Sequence, residues 1–183
     1  MATLPHHDRL ALESSQERIT AMISAGAPLR ETLEELIRIV EGMTPSGMIA
    51  SILVLDDDGR HLLHGAGPSL PDAYNAAING IEIGPEVGSC GTAAFHDKTV
   101  SVFDIANNPL WANFKDLALQ YGLRACWSTP VHGSDGKVLG TFANYYKLVR
   151  DPSPVDRELT EMVTRTAAIA IEQARHARLA VSA

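Results

Sequence analysis

Two cysteines offer the most versatile chemistry in this sequence of 183 residues. Cys90 lies in the segment GSCG just before a predicted short helix, and a helix N-terminus can lower the pKa of a thiol and so favour the reactive thiolate. Cys126 lies far downstream in a predicted strand. A redox function would use Cys90 as the reactive thiol with Cys126 as a possible partner. Two cysteines do not make a disulfide framework, and they fit a reducing compartment.

Other motifs with recognisable chemistry are absent from the sequence. The seven histidines show no HExxH pattern and no other close metal-ligand spacing, so we expect no metal site. The Gly-x-Ser-x-Gly and Gly-x-x-x-x-Gly-Lys-Ser/Thr patterns of hydrolases and phosphate-binding loops do not occur. We therefore predict that the chain is not an enzyme, with a reactive Cys90 as the alternative.

Composition and charge narrow the class of protein further. Hydrophobic residues make up 45% and charged residues 20% of the chain, which is typical of a folded globular domain. The formal net charge of −7 argues against a nucleic acid or an anionic membrane as the main partner. No apolar run reaches the roughly 18–20 residues of a membrane helix, and no secretory signal is visible. We expect a cytoplasmic protein.

Two pairs of predicted strands are joined by turns rich in Asp and Gly, which favours antiparallel pairing. The four strands are predicted at Met48–Leu55, Arg60–Ala66, Ala125–Val131 and Lys137–Tyr146. Pro130 is expected to end the third of them. A further strand is predicted at Thr99–Ile105.

Helical periodicity is found at both ends of the chain and between the strands. We predict two N-terminal helices separated at Gly26–Pro28, and a long last helix from about Val155 to Val181. A helix over Leu110–Tyr121 and a short one after Pro71, with three packing alanines at 73, 76 and 77, are also expected. The resulting fold class is α+β, with one antiparallel sheet and segregated helices.

The region Met48–Gln173 resembles a GAF domain, the regulatory module that accompanies PAS, histidine-kinase, GGDEF or EAL modules in bacterial signalling proteins. The resemblance is carried by GPEVGSCGTAAF (Gly84–Phe95), VSVFDIANNPLW (Val100–Trp111), GLRACWSTPV (Gly122–Val131) and DGKVLGTFANYY (Asp135–Tyr146). It implies a central antiparallel sheet of about five or six strands. Helices from both termini would cover one face, and a ligand pocket would lie on the other face under short helices and loops.

The same resemblance suggests how the chain is organised. Residues 1–27 are expected to form a signalling and dimerisation helix, residues 28–173 the GAF domain, and residues 174–183 the end of the last helix and a linker to an output module. A homodimer through the terminal helices is the expected assembly. No GGDEF or EAL motif and no phosphoacceptor helix occurs in this sequence.

By the resemblance, the pocket should lie among the Cys90 segment, the turn and helix at 108–114, and the strand at 125–131. The candidate ligand-binding residues are Cys90, Trp111, Phe114, Cys126, Trp127, Ser128, Thr129 and Tyr145. Because side chains alternate along a strand, Cys126 and Ser128 share one face and Trp127 and Thr129 the other. The sequence does not say which face meets the pocket.

The expected function is a small-molecule sensor, and three alternatives compete with it. The first is an enzyme like the GAF-fold reductases of free methionine-(R)-sulfoxide, but their pattern matches only Gly88–Ala93 and their upstream cysteines are missing. The second is a haem or bilin protein, but no His stands near Asn108, and neither cysteine is followed by His. We therefore expect no cofactor. The third is a dimerisation module without a ligand.

Overall fold

The computed structural model of the chain describes residue 4 and residues 6–182. Within this part, six strands form one antiparallel sheet in the order β3-β2-β1-β6-β5-β4. The strands are β1 (Ile49–Leu55), β2 (His61–Ala66), β3 (Ile81–Glu82), β4 (Val100–Val102), β5 (Ala125–His132) and β6 (Val138–Tyr146). The predicted α+β class with a central antiparallel sheet is thus confirmed.

The described residues form six α-helices, which cover the two faces of the sheet. They are α1 (His6–Ser24), α2 (Leu29–Gly42), α3 (Asp72–Ile78), α4 (Gly88–His96), α5 (Lys115–Gln120) and α6 (Pro154–Val181). Two single 3-10 turns, Ile105–Asn107 and Pro109–Trp111, precede α5. Among the described residues, no helix is both long and apolar enough to cross a membrane.

The terminal helices α1, α2 and α6 pack on what we call the helix face of the sheet. Their buried apolar residues, such as Leu36 of α2 and Val163 of α6, form one cluster with Trp127, Phe142 and Tyr146 of the central strands. A second cluster on the opposite face, the pocket face, joins α3, α4 and the 3-10 turns to the same strands. Strand alternation explains the division, because successive side chains of β5 and β6 point to opposite faces.

The β1–β2 hairpin has the turn chemistry that its sequence predicts. Gly59 adopts a φ of +72°, a left-handed conformation that a residue without Cβ reaches at little cost. The neighbouring Asp56 carboxylate accepts hydrogen bonds from the backbone N–H groups of Arg60 and His61, at 3.1 and 3.0 Å. This hairpin also meets the end of α6, where Arg178 donates to Asp57 at 2.7 Å.

The start of α6 is fixed by a buried carboxylate. Asp156 and Ser153 form a reciprocal capping box, with bonds of 2.8 and 3.1 Å. The same carboxylate accepts hydrogen bonds from Arg150 at 2.9 Å and from Ser46, in the α2–β1 connection, at 3.0 Å. The guanidinium of Arg150 also lies 4.4 Å from the ring centre of Tyr146. These contacts tie the last helix to β6 and to the end of α2.

Several predicted elements differ from those observed, each for a local reason. β5 continues through Pro130, because β4 pairs only with residues 126–128 and Pro130 needs no N–H towards that side. The predicted helix over Leu110–Tyr121 is a 3-10 turn followed by α5, since Phe114 between them has a non-helical ψ of −10° at φ −126°. The strand predicted at Thr99–Ile105 is shortened to β4.

The short helix α3 also buries different residues from those predicted. The three alanines at 73, 76 and 77 are exposed, whereas Tyr74, Asn75 and Ile78 are buried. The Asn75 side chain donates to the backbone oxygen of Gly67 at 2.9 Å and so holds the preceding loop. The neighbouring Tyr74 side chain lies in the apolar cluster of the pocket face.

Candidate functional site

A narrow cavity lies on the pocket face between the sheet and the short helices. Its closed part measures about 20 Å³, room for about one water molecule, within about 320 Å³ of empty space that includes its mouth. It is lined by Leu53, Tyr74, Ile78, Ile81, Val87, Gly88, Ser89, Cys90, Trp111, Phe114 and Tyr145. The cavity thus collects side chains from β1, α3, β3, α4, β6 and the segment before α5.

A chain of hydrogen bonds holds the cover of the cavity in place. The Trp111 Nε1–H donates to Ser89 Oγ at 3.0 Å, and the Ser89 hydroxyl donates to the backbone oxygen of Cys126 at 3.1 Å. Trp111 is therefore connected through α4 to β5, although it belongs to a 3-10 turn. Ser89 lies in the first turn of α4 and makes this bridge.

The N-cap residue of α4 is Val87, whose side chain cannot cap the helix, so the first turn is held by other contacts. The Val87 N–H donates to Thr92 Oγ1 at 3.0 Å, and the Thr92 hydroxyl donates to the backbone oxygen of Gly88 at 2.6 Å. A Cβ at Gly91 would lie 2.6 Å from the Cβ of Val87, so only glycine fits there. This close approach places Val87 and Cys90 at the cavity wall.

The two cysteines are free thiols on facing elements of the site. Cys90 of α4 lines the cavity, and Cys126 of β5 is fully buried beneath it. The Cys126 thiol, and after it the nearby hydroxyl of Ser128, favour the charged form of Cys90 and lower the pKa of Cys90 to about 7. Burial raises the pKa of Cys126 well above its usual value. Cys90 is therefore the more readily ionised thiol.

Two buried tyrosines form the inner wall beside the thiols. The ring centroids of Tyr74 and Tyr145 lie 5.8 Å apart at an interplanar angle of 87°, an edge-to-face arrangement that aromatic rings favour. Burial raises the pKa of both phenols well above the usual value. Both side chains therefore stay neutral and able to donate a hydrogen bond.

The structure divides the eight candidate residues between the two faces of the sheet. Cys90, Trp111, Phe114 and Tyr145 line the cavity, and Cys126 and Ser128 lie on the pocket face behind them. Trp127 lies on the helix face, 5.6 Å from Tyr146 between ring centroids.

Thr129 shares the helix face with Trp127, because the two are separated by one residue in β5. Its hydroxyl lies 3.4 Å from that of Thr99 and away from the cavity. Trp127 and Thr129 therefore do not line this cavity, and a ligand-binding role for them stays a prediction. Strand alternation predicted that only one of the two pairs, Cys126 with Ser128 or Trp127 with Thr129, would face the pocket. Which pair does so depends on tertiary packing.

Sequence reasoning missed several residues that line the cavity. Leu53, Tyr74, Ile78, Ile81 and Val87 come from elements far apart in sequence. A local pattern could have found only Tyr74, as the one large side chain among small ones in its helix. The others join the site through the strand order, which places β1 beside β6.

Among the residues that the structure describes, one group could hold a metal ion by its geometry. Asp56, Asp58 and His61 in the β1–β2 hairpin each offer a ligand atom within 4.8 Å of the others. The turn itself accounts for this clustering, since Asp56 bonds two backbone N–H groups and lies 3.1 Å from the His61 ring. The group lies outside the cavity, and we assign no metal to it.

Comparison with known proteins identifies the family. Residues 26–172 match the model of the GAF domain, and the chain belongs to this family. It is 37% identical over 163 residues to the methyl sulfide methyltransferase-associated sensor of Methanosarcina acetivorans. That alignment covers 89% of this chain and only 16% of the length of the relative, so it concerns one part of a much longer protein.

Solved structures agree with this fold. The GAF domain of a phosphoenolpyruvate-protein phosphotransferase from Coxiella burnetii superposes with a TM-score of 0.71 at 14% identity, over 93% of this chain and 98% of the other. The free methionine-R-sulfoxide reductase of Neisseria meningitidis, solved with its substrate, superposes with a TM-score of 0.67 at 17% identity over 97% of both chains. Identities this low show a shared fold only.

Proposed function

We propose that this GAF domain senses a small molecule in the cavity of its pocket face and transmits the binding event to its terminal helices. The observation that carries the proposal is the alternation within the two central strands. Tyr145 lines the cavity and Cys126 lies beneath it, while their direct neighbours Trp127 and Tyr146 pack under the terminal helices. A displacement of β5 or β6 by a ligand would therefore reach the helix face without an intermediary element.

Binding requires the cover of the cavity to move, because the closed space holds about one water molecule. The cover is the segment 107–121, in which Trp111 is held by Ser89 and Phe114 is only partly buried. A ligand with different affinities for the open and the closed arrangement shifts their populations. The shift would pass through Ser89 to β5 and from there to α6.

The expected output is a change in a homodimer formed by the terminal helices. Exposed apolar side chains support this assembly, since α1 and α6 carry them on surfaces that no described residue covers. They are Leu10, Ile169, Leu179 and Val181. A clean monomer in solution that persists at high protein concentration would contradict this part of the proposal, and a mass twice that of the chain would support it.

Titration calorimetry tests the sensor function directly. Cyclic nucleotides, nitrate and small metabolites would be titrated into the wild-type chain and into Trp111→Ala, which removes the cover. Phe103→Ala is the matched control, because Phe103 is exposed and lies outside the cavity. Binding that is lost only in Trp111→Ala supports the proposal. Equal binding in both variants would place the ligand elsewhere.

We further propose that the domain works without a bound chromophore, since Asn108 and Pro109 stand where haem-binding relatives of this fold would need a histidine. The absorption spectrum of the purified protein tests this point. We expect absorption from aromatic residues only. A Soret band or a bilin band would contradict it.

A second candidate function is a thiol reductase, favoured by the proximity of Cys90 and Cys126 and by the low pKa of Cys90. In this reaction the Cys90 thiolate would take the oxygen of a sulfoxide, leaving a thioether and a sulfenic acid at Cys90. The Cys126 thiol would then displace water and form a disulfide, which an external dithiol would reduce. NADPH-coupled loss of free methionine sulfoxide that Cys90→Ser abolishes would establish this function over the first.

A further inference from the structure

The walls of the cavity carry no side chain with a formal positive charge, and no Asp or Glu. The one lining group that can ionise near neutral pH is Cys90, and its charge would be negative. Burying a charged ligand without a partner of opposite sign is costly. An anionic group would in addition meet the partial negative charge of Cys90. The lining side chains therefore select against charged ligands.

One backbone N–H at the start of α4 is not free to offset this selection. Free N–H groups at a helix N-terminus commonly bind anions. Here the Val87 N–H is already bonded to Thr92 Oγ1 at 3.0 Å, and the Val87 side chain itself forms part of the cavity wall. An anion at the Val87 N–H would have to displace the Thr92 hydroxyl.

Apolar and aromatic groups make up most of the remaining wall. Four aromatic side chains surround the space together with three aliphatic ones from the strands and α3, namely Tyr74, Trp111, Phe114, Tyr145, Leu53, Ile78 and Ile81. The closed part of about 20 Å³ is smaller than the roughly 150 Å³ cavity that holds a benzene-sized ligand, so such a ligand needs the space at the mouth as well. A ring or a branched alkyl group fits this space once the cover opens.

Behind Cys90, the sheet carries buried hydroxyl groups without an oxygen or nitrogen partner. Ser51, Ser128 and Thr141 are completely buried, and the hydroxyls of Ser128 and Thr141 lie close enough to the Cys90 sulfur to favour its charged form. Ser51 and Ser128 stand on either side of Ala143 in the strand register, and Thr141 is two residues from Ala143 on the same strand. All three therefore share the pocket face. Buried polar groups are usually paired with oxygen or nitrogen, and these three lie together on the face that holds the cavity.

From these observations, and on the basis of the proposed sensor function, we infer the class of ligand. It is an uncharged molecule with an apolar body the size of one ring and a single hydrogen-bonding head group. The body occupies the space between Trp111 and Tyr74. The head lies beside the Cys90 sulfur, where the hydroxyls of Ser128 and Thr141 can complete hydrogen bonds to it.

Four probes with one ring and different head groups test this inference. They are benzyl alcohol, toluene, benzoate and phenyltrimethylammonium, titrated into the wild-type chain and followed by ligand-observed NMR. We expect benzyl alcohol to bind most tightly, toluene about tenfold more weakly for lack of the head group, and the two ions not at all.

Matched variants locate the head group. Ser128→Ala and Thr141→Val, combined in one chain, should weaken benzyl alcohol about tenfold and leave toluene unchanged. Ser101→Ala is the control, because Ser101 of β4 is exposed and the same hydroxyl is removed there. Circular dichroism and the melting temperature verify that each variant is folded.

The outcomes separate this inference from the sensor function on which it rests. Tightest binding by benzoate or by phenyltrimethylammonium, abolished in Trp111→Ala, would overturn the uncharged class but keep the sensor function. Equal binding of toluene and benzyl alcohol would overturn the role of the hydroxyls. Failure of all four probes to bind would overturn the inference and would also weaken the sensor proposal.

Discussion

The two faces of the sheet use the same strands but are packed in opposite ways. On the helix face, Phe142 and Val163 are fully buried among apolar neighbours from α2 and α6. On the pocket face, Ser128 and Thr141 are equally buried, their hydroxyls have no oxygen or nitrogen partner, and a cavity lies beside them. The contrast indicates that the helix face carries the stability of the domain. Buried polar atoms without a partner occur on both faces, since Trp127 Nε1 on the helix face also has none, so the cavity is what distinguishes the pocket face.

The largest difference between the faces should appear on truncation of an aromatic side chain. Phe142→Ala is expected to destabilise the domain by about 3–5 kcal/mol, because it opens a void in the helix-face core. Phe114→Ala at the cavity mouth should cost about 1 kcal/mol, since this side chain is already partly exposed. Denaturant unfolding of both variants measures the contrast. Equal losses would show that the two faces contribute equally.

The connection of α6 to the sheet should give the next largest effect. Asp156→Asn keeps the shape of the side chain but removes the charge that Arg150 and Ser153 bind. We expect a loss of about 2–3 kcal/mol, as for hydrogen bonds to a charged group. Asp151→Asn, in the exposed connection before α6, is the control and should have little effect. An unchanged unfolding midpoint in Asp156→Asn would contradict the anchoring role.

A substitution on the pocket face should act in the opposite direction. Ser128→Ala removes a buried hydroxyl without an oxygen or nitrogen partner, so the ligand-free domain is expected to gain up to about 1 kcal/mol of stability. Thermal unfolding without ligand measures the change. A clear loss of stability would mean that this hydroxyl is already satisfied in the protein.

The chemical difference between the two thiols gives the smallest and most local effect. Because the pKa of Cys90 is lowered to about 7, its thiolate fraction and its alkylation rate should rise as the pH passes through that value. Cys126, whose pKa is raised by burial, should stay unmodified over the same range. Mass spectrometry after treatment with iodoacetamide distinguishes the two sites. Faster modification of Cys126 would reverse the assignment.

Local sequence patterns predicted the elements better than the site. Asp-Gly turns and alternating strands predicted both hairpins, and Gly26–Pro28 separated α1 from α2 as expected. The short elements were harder to predict, because β3 has two residues and the segment before α5 is shaped by the bridge from Trp111 to Ser89. Such elements depend on tertiary contacts rather than on their own periodicity.

Part of the candidate site could not be predicted, for the same reason: it depends on tertiary contacts. The segments around Cys90 and Trp111 could be assigned to the site from the sequence alone, because their residues match the pattern of the family. The position of Trp127 outside the cavity and that of Tyr74 at its wall depend on which face the terminal helices cover. Packing of the core around Leu36 and Val163 determines which face is covered, and this core is far in sequence from both Trp127 and Tyr74.

Amide hydrogen exchange with and without benzyl alcohol tests the central claim most directly, which is that the pocket face communicates with the helix face. The account predicts slower exchange in the cover at 107–121 and, in the same sample, a changed exchange rate in α6. Phenyltrimethylammonium should change neither. Protection confined to the cover and the cavity wall, with α6 unaffected at saturating ligand, would contradict the coupling of the two faces.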